Sequence, residues 1–380
     1  MNRTLALLLF TTAVAACGDN LDAPDAGMSG PSVDAAPLPP RAVVVAGDFV
    51  PGHPGVLSVV DIATKTVTTN AAPAGAIGED PVLRKKGDEL FVVNRASGNN
   101  VTILKASDFS LVEQLGTGAG TNPQDVVAIG NKLYVATLGN KGGVILTRGS
   151  TTITTIDLSA DDPDGKPNCN SVFYANSKLF FSCGLLDDTN MFLPPRGPGK
   201  IYIVNPSTGT VEGSLTLTTK NPIALLEQIP LGAPKAGDLL LPTIDFSTGM
   251  GCVERIVTTG TPASAGCVVD NAVLGGFAFA SRIAFQGNHA RVAVSDYPKG
   301  NVRDYDLAAS ALDTAAMTAM AQVIGDVTVC PGGEMVVTDN PPPPSTAANG
   351  LRIYMDAAEK TTAPLAIGLK PSSSHGLVCY

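Results

Sequence analysis

Three histidines, His53, His289 and His375, are the side chains whose ordinary titration lies nearest neutral pH, and their neighbours set them apart from one another. His53 sits inside Pro-Gly-His-Pro-Gly, a loop tip, and His289 follows Gly-Asn in a hairpin turn. His375 precedes a short apolar run, Gly-Leu-Val-Cys-Tyr, where it suits a general acid or base if a carboxylate such as Asp326 orients the ring. A second chemistry belongs to Asp162 and Asp164 in Asp-Asp-Pro-Asp-Gly, whose carboxylates suit calcium although the spacing and terminal glutamate of an EF-hand loop are missing. No histidine spacing suits zinc, and neither a Gly-x-Ser-x-Gly elbow nor a phosphate loop occurs. The simpler expectation is that no residue is catalytic, no metal is bound, and calcium near Asp162 and Asp164 is the one cofactor the residues suggest.

The elements that must position these groups are short strands. The 380 residues are 44% hydrophobic and 16% charged, with 40 Gly, 29 Pro and no Trp, a composition that folds and favours many turns over helical bundles. Asn122-Pro123 leads into QDVVAIGNKLYVATLGN, two β-like runs around an Asn-Lys turn, and the same order recurs along the chain. Related units follow Asp80-Pro81, Lys166-Pro167, Asn221-Pro222, Ser281-Arg282 and Gly325-Asp326, with starts about 42 to 59 residues apart. Each reads as strand, turn, strand, polar loop, strand, turn, strand. The final SSSHGLVCY resembles a lone first strand, and RAVVVAGDF with GVLSVVDIATKTVTT resembles a unit lacking one. Joined in space they form one more blade and close the ring without an open edge. The fold class is therefore an all-β, seven-bladed β-propeller over residues 41–380, with six or eight blades as the margin.

The residues ending the second strands, Leu90-Phe91-Val92-Val93-Asn94, Leu133-Tyr134-Val135-Ala136-Thr137, Val292-Ala293-Val294-Ser295-Asp296 and Met335-Val336-Val337-Thr338-Asp339, resemble the YVTN-type repeats of seven-bladed propellers, as does Ile201-Tyr202-Ile203-Val204-Asn205. The resemblance implies architecture more than activity. It also extends to lactonase-like propellers, without a matched set of their catalytic residues. Insertions lengthen the loops of residues 185–325, and Ala308 to Gln322, rich in Ala and Met, suits a short helix in place of an outer strand.

The N-terminus, MNRTLALLLFTTAVAACGDN, has Arg3, an apolar run too short for a permanent membrane span, and Val14-Ala15-Ala16-Cys17. That ending resembles the lipobox of bacterial lipoproteins. It implies a signal peptide over 1–16, cleavage before Cys17, lipidation of Cys17 and membrane attachment through the acyl chains. Gly18 follows where an aspartate would resemble inner-membrane retention, so the outer membrane is expected. Residues 17–40, rich in Asp, Ala and Pro, form a disordered tether with a mean reach of roughly 25 Å. A net charge of −9 and no basic cluster argue against nucleic acid as partner.

Apart from Cys17, six cysteines remain in an exported chain, where disulfides persist. Cys169 and Cys183 are equidistant from Asn176 in a hairpin turn, and Cys252 and Cys267 are symmetric about Thr259-Gly260. Both pairs fall within the span a disulfide accepts. Cys330 and Cys379 lie on adjacent inner strands, roughly 8 Å apart at Cα by ring geometry, near or past that span.

In propellers, ligands gather at the channel mouth, on the face where the chain enters inner strands and leaves second strands. That face collects the ligand-binding candidates Arg95, Asp245, Arg282, Asp296, Asp326, Asp339 and His375, with Asn94, Asp187, Asp188, Asp80 and Asn122 beside them. Asp and Asn after a strand also shape turns, which is the simpler role for most of them. Pro341 to Pro344 would form a stiff ridge on the same face. The expected function is binding of a protein, glycan or envelope polymer by a cell-envelope lipoprotein. The alternative is a lactonase-like hydrolase using His375, Arg282 and Asp326.

Overall fold

The computed structural model describes residues 39–380 apart from 276–277, 297–298, 319–323, 341–347 and 372–374. The signal peptide, Cys17, nearly all of the tether and Pro341 to Pro344 lie outside the described residues, as does the side chain of Asp296.

Among the described residues, twenty-eight strands form seven four-stranded antiparallel sheets. Blade 1 holds β1 (Arg41–Ala46), β2 (Val56–Asp61) and β3 (Val67–Thr68). Blade 2 holds β4–β7 (Pro81–Lys86, Glu89–Asn94, Asn100–Lys105, Leu111–Gly116), and blade 3 holds β8–β11 (Pro123–Ile129, Lys132–Thr137, Gly142–Thr147, Ile153–Asp157). Blade 4 is β12–β15 (Cys169–Ala175, Lys178–Cys183, Lys200–Val204, Val211–Thr216), and blade 5 is β16–β19 (Glu227–Gln228, Leu239–Asp245, Met250–Val257, Ala263–Val269). Blade 6 is β20–β23 (Phe279–Gln286, His289–Asp296, Lys299–Asp306, Ala311–Ala316), and blade 7 is β24–β27 (Val327–Val329, Glu334–Asp339, Gly350–Met355, Ala358–Glu359). β28 (Leu377–Cys379) returns to blade 1 and pairs with β1, Val43 opposite Val378, which closes the ring as the sequence implied.

The strands form where they do because turn residues punctuate apolar, β-branched runs. Asn176 and Ser177, both at positive φ, make the two-residue turn between β12 and β13 that matches strand twist. Gly130-Asn131 does the same between β8 and β9, one residue earlier than the Asn-Lys turn read from the sequence. The stretch Ala308 to Gln322 contains a strand, β23, where a helix was expected. Hydrogen bonding to the open edge of β22 and burial of Leu312 opposite Tyr305 outweigh the helix propensity of its alanines. The one α-helix among the described residues is a single turn, α1 (Asn271–Leu274), capped by the Asp270 side chain.

Each sheet packs on both faces, so second strands such as Leu90–Asn94 are buried at every position and read as continuous apolar runs. The buried side chains fall into seven clusters, one between each pair of neighbouring blades. Each fully buried Leu, Val or Phe in them contributes roughly 1.5–3 kcal/mol.

All three expected disulfides are present. Cys169 lies directly opposite Cys183, whereas bulges in the β18–β19 pair bring Cys267 opposite Glu254, diagonal to Cys252. Cys330 and Cys379 approach to 4.9 Å at Cα, closer than ring geometry predicts. Cys330 follows β24 directly, its amide donating to Glu334 O at 2.8 Å, and meets Cys379 on β28, the inner strand of blade 1.

Candidate functional site

Six inner strands each send one polar residue toward the channel: Arg84, Asp125, Ser171, Glu227, Arg282, and Asp326 immediately before β24. The shared blade contributes His375, two residues ahead of β28. In three of these strands the register slips just before the residue in question, between Pro123 and Asp125, Cys169 and Ser171, and Ala280 and Arg282. A bulge adds one residue on one side of the pair and re-aims the side chain that follows.

These side chains fill the channel with a buried charge layer. Arg84 grips Asp125 with two donors, Nε to Oδ1 at 2.7 Å and Nη2 to Oδ2 at 2.9 Å, and reaches Glu227 Oε1 with Nη1 at 2.9 Å. Blade 2 and blade 5 stand on opposite sides of the ring, so that last bond spans the axis. Asp125 Oδ2 also accepts from the Ser171 hydroxyl at 2.6 Å and the Val172 amide at 3.0 Å. Arg282 Nη1 lies 2.8 Å from Glu227 Oε1, and its Nε lies 3.5 Å from Asp326 Oδ1, ionic contacts without hydrogen-bond alignment. Asp326 accepts from the amides of Val327 and Leu377, both at 2.9 Å.

Backbone completes the plug. The segment leading into β16 crosses the channel, where the Leu226 amide donates to Ser171 Oγ at 2.9 Å and the Leu225 amide donates to His375 Nε2 at 3.2 Å. Leu225 packs in the cluster of blades 2 and 3, away from its own blade.

Electrostatics follow from burial. Two guanidinium groups face three carboxylates, Asp125, Glu227 and Asp326, which leaves one negative charge in excess. Burial, opposed by Arg282 and the two amides, pushes the Asp326 carboxyl up to about 6. Burial also drives the His375 imidazole well below its ordinary value, reinforced by Arg282, Arg84 and Arg95. Burial opposes the charge on Arg84, yet Asp125 and Glu227 hold it more firmly protonated than a free guanidinium. The neutral His375 ring accepts at Nε2 and so carries its proton on Nδ1.

Of the residues singled out from sequence, Arg282, Asp326 and His375 are brought together, with Arg95 close enough to act on the imidazole charge. Asp326 is hydrogen-bonded to backbone amides, and His375 to Leu225. Arg95 pairs with Asp80 and donates to Gln124 at 3.3 Å. Asp245 accepts from the amide and hydroxyl of Ser247 and pairs with Lys220 at 3.1 Å. Asp339 pairs with Arg352 at 2.6 Å, with burial raising its carboxyl against that contact. Arg84, Asp125 and Glu227 went unrecognised. Asp125 carried a signal, a carboxylate at the head of a β-branched run in Asp-Val-Val like that of Asp326 in Asp-Val-Thr, whereas Arg84 in Leu-Arg-Lys-Lys and Glu227 in Leu-Leu-Glu-Gln carried none.

Asp162 and Asp164 frame a cluster entered by a cation of the chain itself. Arg196 Nη2 lies 2.8 Å from Asp164 and 2.7 Å from Asp187, while its Nε is 4.0 Å from Asp162. Burial pushes the Asp162 carboxyl up to about 6. Among the described residues, the one group of three metal-ligating side chains with atoms within 4.8 Å is Cys252, Glu254 and Cys267, and its two cysteines are joined in a disulfide.

The mouth face carries a feature that its charged residues concealed. Connections from second to third strands lie on this face, and they present Phe49 and Val50 in blade 1, Met191, Phe192 and Leu193 in blade 4, and Phe246 in blade 5 as exposed side chains. All three exposed phenylalanines among the described residues are therefore on one face. Phe49 holds φ 60 and Leu193 φ 46, a left-handed backbone unfavourable for such side chains.

The sequence matches no protein-family model and no curated protein. Solved structures similar in fold include a provisionally assigned 6-phosphogluconolactonase from Bacteroides uniformis, at TM-score 0.61 and 11% identity over 90% of this chain and 100% of that one. A protein from Lactobacillus plantarum is similar at TM-score 0.59 and 15% identity, over 89% of this chain and 98% of that one. The β-propeller domain of Cps50 (Swd1) from Myceliophteria thermophila follows at TM-score 0.55 and 11% identity, over 78% and 90%. At these identities the likeness establishes the seven-bladed propeller fold and leaves activity to the site.

Proposed function

We propose that this chain is a cell-envelope lipoprotein, held at the outer membrane through Cys17, whose propeller binds a protein, glycan or envelope polymer at the channel-mouth face without catalysis. The observation that carries the reading is the concentration of exposed Phe49, Phe192 and Phe246 on the mouth, above a channel filled by Arg84, Asp125, Glu227 and Arg282. Phe49 lies across the ring from Phe192 and Phe246, so the three are separate apolar contact points spread over one face, as a surface covered by a large partner would present. With the acyl chains removed by Cys17→Ser, the protein should still co-sediment with an envelope fraction, whether peptidoglycan sacculi, lipopolysaccharide or membrane proteins. Phe192→Ser with Phe246→Ser should abolish that retention while circular dichroism and Tm stay unchanged. Retention indifferent to both changes would count against the reading. Labelled palmitate should enter the wild type and not Cys17→Ser.

A second reading, a lactonase-like hydrolase, is favoured by the convergence of His375, Arg282 and Asp326, and by the fold it shares with the Bacteroides structure. Turnover of a lactone panel that disappears in His375→Ala would establish it over the first.

A further inference from the structure

We infer that the loop of residues 184–199, between β13 and β14, is a preformed knob that inserts Met191 and Phe192 into an apolar cleft, rimmed by Lys or Arg, on a protein partner. The inference rests on the binding reading above and names its partner class. Met191 and Phe192 are 85% and 81% exposed, the highest values among the large apolar side chains described. A loop needed only to connect two strands would turn such residues inward, where burial stabilises them.

The loop holds its shape without a partner. The Asp187 amide donates to Pro194 O at 2.9 Å, the Arg196 amide to Leu185 O at 3.0 Å and the Leu193 amide to Asn190 O at 2.9 Å. At its base Arg196 ties Asp187 to Asp164, and the Leu186 amide donates to Asn168 Oδ1 at 2.9 Å. A rigid loop loses little entropy on docking, and a protruding aromatic beside a methionine is the kind of anchor on which interface energy concentrates.

Two observations select a protein over the anchoring membrane. The chain enters β1 at Arg41 on the face opposite the one that carries the knob. In addition, the base of the knob gathers five carboxylates, Asp161, Asp162, Asp164, Asp187 and Asp188, against Lys166, Arg196 and Lys200; Arg196 and Lys200 are held in ion pairs with them, and the remaining negative excess is repelled by anionic lipid but complements a basic rim.

The chain contains no Trp, so Phe192→Trp places a single indole at the tip. In the full lipidated protein, reconstituted into phosphatidylethanolamine vesicles with a minority of phosphatidylglycerol, its emission should stay water-like and unquenched by brominated acyl chains. Blue-shifted, quenched emission would overturn the inference in favour of the membrane. In the producing cell, photo-crosslinking p-benzoylphenylalanine at position 192 should give a discrete protein adduct that the same group at Leu231, on the opposite face, does not. The partner so identified, once purified, should bind wild type at least about tenfold more tightly than Phe192→Ser. Adducts from positions 49 or 246 alone would refute the knob while leaving the binding face intact. Absence of adducts from all three would refute both.

Discussion

At the scale of single residues, Asp326 is the unbalanced charge. Its carboxyl, raised to about 6 by burial, keeps its proton in the folded chain at pH values where the unfolded chain has lost it. Below about pH 4 the group is neutral in both states and costs nothing. As pH rises from about 4 to 6, stability drains away, to a total of about 3 kcal/mol that stays lost at neutrality. Asp326→Asn cannot ionise and leaves two Arg facing two carboxylates. Its stability relative to wild type should therefore improve by about 3 kcal/mol between pH 4 and pH 7.5, read from urea melts at both pH values. A difference independent of pH would show that Asp326 is already ionised and matched. Arg84 represents the opposite case, since Arg84→Met would leave Asp125 buried without a cation and Glu227 with Arg282 alone, and should cost about 3–5 kcal/mol. Neither role follows from local sequence, because Arg84 stands in Leu-Arg-Lys-Lys, where any of three cations would serve.

Among the elements, the Cys330–Cys379 bridge joins blade 7 to β28, a strand of only three residues. So short a strand has little pairing energy of its own, and the disulfide lowers the entropy of the detached state. Cys330→Ser should lower stability by about 2–4 kcal/mol, more than that strand's length could replace. Denaturant melts of the oxidised wild type and the variant provide the check, and coincident curves would mean that closure does not depend on the bridge. Gly47, in the loop after β1, illustrates a constraint of the mouth face. A Cβ there would lie 1.9 Å from Glu79 O, so any side chain must displace the loop that presents Phe49.

For the whole molecule, stability is distributed around a ring, since each cluster lies between two blades and none is central. Opening the ring anywhere exposes two apolar sheet faces at once. The closure is defended by more than strand pairing. Arg41 stacks between the rings of Phe109 and Tyr380, at 4.9 and 5.0 Å, and the Tyr380 hydroxyl donates to Ala106 O at 2.8 Å. Deleting Leu377–Tyr380 should therefore reduce Tm further than Cys330→Ser does and expose the Arg41 amide, which donates to Tyr380 O, and that of Val43 to hydrogen exchange. An unchanged Tm would show that six blades hold the ring unaided.

The sequence by itself determined the architecture: a repeating order of turn and β-branched run sets each blade, an incomplete first unit and an isolated last strand require each other, and hairpin symmetry pairs Cys169 with Cys183. These are local or periodic properties, and neighbouring residues encode them. Tertiary structure alone decided what fills the channel, because Arg84 meets Glu227 across the ring at a separation of 143 residues and Leu225 reaches His375 at 150. It also decided which apolar residues stay outside. Phe192 and Phe180 are the same residue type in one blade, yet one stands in water and the other is fully buried. Burial belongs to the surroundings that the folded ring supplies, and a residue's own identity cannot contain it.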